Sequence, residues 1–211
     1  MSRLLSCIVV SAALSFSAMA QAATYTDRTA FNAAVRGSTT ADFNQLGSAF
    51  FGGPGFGNGV GTVTYNGITV STTTDYLFSS ADDTFGTGAH LAVQQFSPSA
   101  ATFSFGTPST AIAFDYTGSV PLTLTIGGQS FAVAASPFPR LSFFGLTTDT
   151  SFTSAVLSMA GGGFDLDNVT FGAASIGSVP EPASWALMIL GVGMADGVMR
   201  YHRRGTNARL A

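Results

Sequence analysis

The chain has 211 residues, enough for one domain with a substantial core, and only 9% of them are charged. Between residues 23 and 178, three arginines stand against nine aspartates with no lysine or glutamate, which gives a formal net charge of −6. Because nucleic acids require a basic face, this balance argues against a nucleic-acid partner and permits divalent cations or neutral glycans.

The first 22 residues have the parts of a secretory signal peptide. A short basic start is followed by an apolar stretch over residues 4–16, which we expect to be helical. Two overlapping small-x-small patterns end at Ala20 and Ala22, so cleavage is expected after one of these residues. The single cysteine, Cys7, would leave with this segment, and the exported part would then contain no disulfide and no thiolate metal site.

Residues 23–178 are expected to form one exported all-β domain with a short N-terminal helix. Thr26 can cap a helix over residues 27–35, and Gly37 would end it. The glycine-rich stretch over residues 50–61 is interpreted as a flexible loop, because no lysine follows it to complete a phosphate-binding pattern.

About ten strands are predicted from alternating apolar and polar residues. Asn66-Gly67 lies between two of these stretches and is a strong hairpin signal. The predicted strands are residues 39–43, 62–65, 68–71, 90–93, 101–105, 111–116, 122–126, 131–133, 143–146, 152–158 and 164–171. Short strands without a longer repeat predict an antiparallel two-sheet sandwich, jelly-roll-like in form.

The last predicted strand contains a change of parity. Phe164 and Leu166 share one face, whereas Val169 and Phe171 share the other. Both pairs can face the core only if the strand bends or bulges near Asp167-Asn168.

The Asp167-Asn168-Val169 segment resembles the closing strand of jelly-roll carbohydrate-binding modules. In such modules, a calcium ion can clamp the final strand to an early one. The resemblance implies Asp167 and Asp42 as calcium ligands, with Asn44 or Asp165 as helpers, and carbonyl oxygens can complete the coordination. The alternative is that Asp167 and Asn168 hydrogen-bond the backbone at a bend and that no cofactor is bound.

Catalysis has little support in the sequence. His90 is the only histidine of residues 23–178, and neither a G-x-S-x-G pattern nor a second histidine for zinc accompanies it. Paired aspartates leave glycoside hydrolysis open as an alternative, since it needs two nearby carboxyl groups.

Two binding functions make different demands on the surface. A carbohydrate-binding module requires exposed aromatic residues on one sheet face, for which the candidates are Tyr65, Tyr76 and Tyr116. An ice-binding surface requires regular threonine ladders. The threonine pairs are scattered along the chain, at Thr62/Thr64, Thr72/Thr74 and Thr123/Thr125.

The C-terminal stretch, residues 179–204, begins with a Pro-Glu-Pro triplet and ends in arginines. Between them, residues 183–199 form an apolar run that as a helix would be roughly 26 Å long, just enough for a bilayer core. We therefore predict a transmembrane helix here. The arginines place residues 205–211 in the cytoplasm as a basic tail.

These residues together resemble the PEP-CTERM sorting signal in its PEPxxWA form. The matching positions are Pro180, Glu181, Pro182, Trp185, Ala186, Gly191, Gly193, Arg200, Arg203 and Arg204. The resemblance implies a temporary anchor in the inner membrane that an exosortase-type enzyme processes, often alongside exopolysaccharide production. Asp196 departs from the pattern, because a carboxylate within the span weakens insertion.

The sequence thus predicts a secreted, surface-sorted, non-catalytic structural or glycan-associated protein of the extracellular matrix or biofilm. Its expected partners are the exosortase, the inner membrane and an exopolysaccharide. A carbohydrate-binding module is the nearest alternative, followed by an ice-binding protein or a glycoside hydrolase.

Overall fold

The computed structural model describes residues 22–55, 60–94 and 98–175. This part forms one helix and twelve strands: β1 (Ala23–Tyr25), α1 (Arg28–Ala33), β2 (Val35–Ala41), β3 (Ala49–Gly52), β4 (Gly61–Tyr65), β5 (Ile68–Thr72), β6 (Tyr76–Ser80), β7 (His90–Gln94), β8 (Ser99–Gly118), β9 (Leu122–Ile126), β10 (Gln129–Val133), β11 (Ser142–Met159) and β12 (Phe164–Ala174). The all-β, antiparallel class is confirmed. No helix among these residues is long and apolar enough to cross a membrane.

Two long strands, β8 and β11, organise the sheet by pairing with each other along most of their length. The N-terminal part of β8 also pairs with β5, whereas its C-terminal part pairs with β12. We call the strands in the order β4-β5-β8-β11-β9-β10 the first layer. The second layer runs β1-β11-β8-β12-β7-β6-β3, with β2 also on β12.

Aromatic rings connect the two layers through the core. Phe105, in the first-layer part of β8, has its ring centroid 5.1 Å from that of Phe171 in β12. The same ring lies 5.7 Å from Phe152 in β11, close to the register shifts between β11 and β8. The pairing is consistent with the predicted sandwich, and the finer jelly-roll form stays a prediction.

The helix α1 is shorter than the predicted helix over residues 27–35. Its N-cap is Asp27, not Thr26, because an Asp27 carboxylate oxygen accepts a hydrogen bond from the backbone N–H of Ala30 at 2.8 Å. Val35 starts β2, where it pairs with Ala174. The Phe31 side chain is fully buried, so α1 covers one end of the outer face of the second layer.

The hairpin around Asn66-Gly67 is confirmed. Asn66 and Gly67 have φ angles of +47° and +79°, as a two-residue type I′ turn requires. The Asn66 side-chain amide also donates to the Thr40 carbonyl at 3.2 Å, which ties the turn to β2.

Other predicted boundaries are wrong where long strands continue. The predicted strands over residues 101–105 and 111–116 are parts of β8, and those over 143–146 and 152–158 are parts of β11. The strand predicted over residues 39–43 ends at Ala41, since Phe43 has a φ of +55° that a strand cannot continue. The predictions missed β1, β3 and β6.

Candidate functional site

Most of the predicted processing residues lie outside the described residues. These are Ala20 and the whole sorting motif: Pro180, Glu181, Pro182, Trp185, Ala186, Gly191, Gly193, Arg200, Arg203 and Arg204. Ala22 is described and packs, half-buried, against the hydrophobic core just before β1. The signal peptide, the sorting signal and the transmembrane helix therefore stay predictions.

The predicted bulge in β12 is present at Asp167-Asn168. Asp167 pairs with Asp115 and Thr170 with Ala113, so two residues of β12 oppose one residue of β8. Asn168 has a φ of +49°, a left-handed conformation that asparagine tolerates. As a result, the inward-facing residues on both sides of the bulge are buried: Phe164, Leu166, Val169 and Phe171.

A polar network surrounds the bulge. The Asn168 side-chain amide donates to the Asp115 carboxylate at 2.9 Å, and the Asn168 backbone N–H donates to Asp167 at 2.7 Å. Arg28 forms an ion pair with Asp115 at 2.8 Å, and its guanidinium carbon lies 4.6 Å from the centre of the Phe143 ring. The network thus fixes α1 against the bulge.

Asp167 is fully buried. Burial raises its pKa to about 6, and repulsion from Asp115 and Asp42 adds to this rise. The hydrogen bond from the Asn168 backbone N–H lowers the pKa of Asp167 and so opposes this rise. Asp42 and Asp167, which the sequence places 125 positions apart, are thus close enough to influence each other.

At the predicted calcium site, Asp42 and its predicted helper Asn44 are in contact. Asp42 accepts hydrogen bonds from the Tyr65 hydroxyl at 2.9 Å and from the Asn44 side chain at 3.2 Å. No three acidic or histidine side chains in the described ranges form a group that could hold a metal ion. A calcium ion between Asp42 and Asp167 would therefore need carbonyl oxygens as further ligands, and it stays a prediction.

The three tyrosines predicted as candidates for a sugar-binding face do not form one exposed surface. Tyr116 is buried in the core, where its hydroxyl donates to the Ala134 carbonyl at 2.7 Å. Tyr65 is half-buried, with its ring 5.7 Å from that of Phe43 and its hydroxyl on Asp42. Of the three tyrosines, only Tyr76 lines an open depression of the surface.

An open aromatic surface lies at the β3 end of the second layer. Phe50 is 52% exposed, and its ring centroid lies 6.2 Å from that of Tyr76. Phe50 also pairs directly with Phe78 across the β3-β6 ladder. These three rings line a shallow depression of about 490 Å³ together with Ser48, Ala49 and Ser79.

A second, more polar cavity of about 310 Å³ lies beside β12 and β8. Gln94, Thr117, Ser119, Phe138, Gly163 and Asp165 line it. Phe138 is 63% exposed, which makes it the most exposed large apolar residue among those described. Burial raises the pKa of Asp165, with repulsion from Asp82 adding to the rise and attraction to His90 opposing it.

The strand register places both depressions on one face. Directly opposed residues of an antiparallel pair point to the same side, and Phe50, Phe78, Ala92, Asp165 and Thr117 are opposed in succession across five strands. We call this line the cross-strand row. At ~4.8 Å per strand, it spans roughly 19 Å, but Ala92 in its middle and Thr117 at its β8 end are almost fully buried. On the same face, the exposed Gln94 directly opposes Tyr76.

Sequence reasoning missed Phe50, Phe78 and Phe138. Phe50 begins the glycine-rich stretch that was interpreted as a loop, and Phe138 stands between Pro137 and Pro139. A large aromatic between two prolines cannot easily enter a central strand, so this pattern could have indicated an exposed ring.

His90 has a packing role, as expected of a lone histidine. It is 5% exposed, and its ring centroid lies 4.7 Å from that of Phe85 in an edge-on contact. Its Nδ1 atom is 3.9 Å from an Asp82 oxygen and forms no hydrogen bond.

The outer face of the first layer has a different character, because hydroxyl side chains cover it. Thr64 opposes Thr69, and Thr69 opposes Ser104, which in turn opposes Ser154. We call this surface the hydroxyl face. Its hydroxyl residues are Thr62, Thr64, Thr69, Ser71, Thr102, Ser104, Thr123, Thr125, Ser130, Ser154 and Ser158, and the register places Ala100, Ala132 and Val156 among them. Thr62/Thr64 and Thr123/Thr125, scattered in the sequence, are thus on one surface, whereas Thr72 is buried.

Comparison with known proteins gives only distant similarities. No protein-family model and no curated protein matches the chain. A solved carbohydrate binding module of family 29 matches 71% of this chain and 99% of its own at 16% identity and a TM-score of 0.34. A variant of such a module matches with a TM-score of 0.38, 14% identity and coverage of 63% and 97%.

Another similar structure is the enzymatically active domain of tailspike protein 4 of bacteriophage CBA120. It has a TM-score of 0.35 and 13% identity, and the match covers 50% of this chain and 19% of that one. At such TM-scores we draw no conclusion about function from these likenesses.

Proposed function

We propose that the chain is an exported, non-catalytic glycan-binding protein of jelly-roll-like form that works in the extracellular matrix or biofilm. The observation that carries this proposal is that exposed aromatic rings and hydrogen-bonding side chains lie on one face of the sheet, with Phe50 beside Tyr76 and Gln94 directly opposite Tyr76. A ligand that touches both depressions must be elongated, and it must offer apolar faces as well as hydroxyl groups.

The chemistry of the cross-strand row suits a polysaccharide. A sugar ring has an apolar face of C–H groups that can lie on Phe50 or Tyr76, as apolar surfaces do on aromatic rings. Its hydroxyls can donate to Asp165 and exchange hydrogen bonds with Gln94. Ligand sites are typically lined by aromatic side chains together with a few polar groups that fix the ligand's orientation.

Delivery to the surface is proposed from the two terminal signals. The first 22 residues would direct export, and residues 179–204 would hold the protein in the inner membrane until an exosortase-type enzyme releases it. The released protein would then reach the cell surface, where an exopolysaccharide is its proposed partner.

The test of glycan binding is a double variant, Phe50→Ala with Tyr76→Ala. We expect it to weaken retention on a polysaccharide column roughly tenfold, because two stacking surfaces are lost. Phe131→Ala, which removes a half-buried ring from β10 in the first layer, is the matched control and should bind normally. Equal binding by the wild type and the double variant would refute the proposal. Release of reducing ends from the bound glycan would refute its non-catalytic part.

The hydroxyl face favours a second candidate function, binding to ice. Neighbouring strands give its hydroxyls a spacing of ~4.8 Å, and alternate residues along a strand give ~6.7 Å. The face has no charged and no aromatic side chain, so it suits a neutral lattice of hydroxyl groups better than a sugar chain. The Thr64 and Thr69 hydroxyls are 2.9 Å apart, which limits their motion.

A pair of variants tests this second candidate. Thr102→Lys places a flexible charge in the middle of the hydroxyl face, and Thr84→Lys does the same in the exposed loop before β7. If the face binds ice, the first change abolishes inhibition of ice recrystallisation and the second leaves it intact. Absence of any inhibition by the wild-type chain would eliminate this candidate.

A further inference from the structure

Among the described residues, the 310 Å³ cavity is lined by one ionisable group and no basic one. Asp165 is the only charged residue of this described lining, and the other side chains are Gln94, Thr117, Ser119 and Phe138. The chain contains no lysine at all, and Arg140, two residues after Phe138, is not among the described residues that line the cavity. A ligand group entering the cavity therefore meets a carboxylate without an opposing positive side chain in the lining.

Two ionisable groups act on Asp165 in opposite directions. Asp82 repels it, and His90 attracts it when protonated. Because His90 is almost fully buried and lies edge-on to Phe85, it cannot move into the cavity to neutralise Asp165. Asp165 has no hydrogen-bond donor among the described side chains. A half-buried carboxylate in this position gains stability from any cation that approaches it.

Phe138 adds a second feature that favours a cation. Its ring is 63% exposed at the same cavity, and the ring of Phe85 packs edge-on at 5.8 Å to support it. The face of such a ring attracts an ammonium group as well as the apolar face of a sugar. Binding of an anionic glycan is disfavoured, because Asp165 and Asp82 both repel it.

We propose that this cavity selects glycans with free amino groups, such as glucosamine units, over the same glycans in N-acetylated form. Asp165 would pair with the sugar ammonium, and Phe138 would lie against the ring that carries it. This inference rests on the proposed glycan-binding function and specifies its ligand class.

A matched pair of ligands tests the inference directly. Oligomers of glucosamine and of N-acetylglucosamine of equal length differ in charge at each amino group. We expect the full-length chain, purified in detergent, to bind the glucosamine oligomer roughly fivefold more tightly, as one partly desolvated ion pair would give. The preference should decrease as the salt concentration rises from 0.05 M to 0.5 M, because salt screens the pair.

Three variants assign the effect to the cavity. Asp165→Asn should remove the preference and leave binding of the N-acetylated oligomer unchanged. Asp149→Asn changes the net charge by the same amount at a different cavity, and it should keep the preference. Phe138→Ala should weaken the binding of both oligomers.

The outcomes separate the two proposals. Equal affinity for both oligomers, or a preference that persists in Asp165→Asn, would overturn this inference and leave glycan binding intact. Failure to bind either oligomer or any polysaccharide would overturn both. A melting curve of Asp165→Asn like that of the wild type ensures that a lost preference does not reflect unfolding.

Discussion

The rings of Phe103 and Phe114 are nearly parallel, with their centroids 6.5 Å apart, although both residues belong to strand β8. In a straight strand, eleven residues would separate them by roughly 36 Å. The strand must therefore fold back between them, at the exposed segment Gly106-Thr107-Pro108. Because β11 pairs with β8 on both sides of this segment, with register shifts between Thr147 and Ser154, both strands turn here and bring the first layer over the second.

The contact between these rings should be measurable as a coupling energy. Each of Phe103→Ala and Phe114→Ala is expected to lower the free energy of unfolding by about 3–5 kcal/mol, because both side chains are fully buried. The double variant should lose about 0.5–1.5 kcal/mol less than the sum of the two. Chemical denaturation measures all three, and Phe138→Ala, an exposed ring, should change stability by less than about 0.5 kcal/mol. Strict additivity would contradict a direct contact.

Because Asn168 has a left-handed backbone conformation, we expect its glycine variant to be more stable than its alanine variant. Asn168→Ala should destabilise the chain by about 2 kcal/mol, since alanine is strained at a φ of +49° and cannot donate to Asp115. Asn168→Gly loses the same hydrogen bond without the strain, so it should be about 1 kcal/mol more stable than the alanine variant. Thermal melts compare the two. A glycine variant less stable than the alanine variant would show that the backbone conformation is not the cause.

Asp167 predicts a dependence of stability on pH. Its pKa is raised from 3.8 to about 6 in the folded chain, so the folded state holds this proton more tightly than the unfolded state. The free energy of unfolding should therefore fall by up to about 2 kcal/mol as the pH rises from about 4 to about 6, and the contribution should be level above that range. Asp167→Asn should flatten this part of the curve. Asp149→Asn, an exposed aspartate, should leave it unchanged.

If Asp167 and Asp42 bind calcium, the ion should offset the loss of stability that accompanies ionisation of Asp167. Melting the full chain at pH 7 with calcium and with a chelator should then show a rise of several degrees with calcium, because an ion that binds only the folded state stabilises it. Asp167→Ala should abolish the shift. An equal shift in both proteins would show that Asp167 is not a ligand, and no shift in the wild type would leave Asp42 and Asp167 with their hydrogen bonds alone.

The sorting signal makes a prediction about location. The double variant Pro180→Ala with Glu181→Ala should leave the exported domain folded and keep the protein in the inner membrane. Thr206→Ala, in the predicted cytoplasmic tail, is the matched control and should be released to the surface. Cell fractionation measures both, and normal release of the double variant would defeat the sorting proposal.

The sequence by itself determined the features that depend on neighbouring residues. Asn66-Gly67 specifies a turn with two positive φ angles, and the parity change between Leu166 and Val169 requires a bulge. Alternating apolar residues decide which side of a strand is buried. These are local properties, because turn conformation and side-chain direction are set within a few positions of the chain.

Only the tertiary structure decided which strands are neighbours. The register of β3, β6, β7, β12 and β8 aligns Phe50 with Asp165 across the sheet, and another register gathers the scattered threonines of the hydroxyl face. Backbone hydrogen bonds between strands are alike for every residue type, so a sequence does not identify a strand's partner. The partner is chosen when the apolar faces of all strands are buried together in one core.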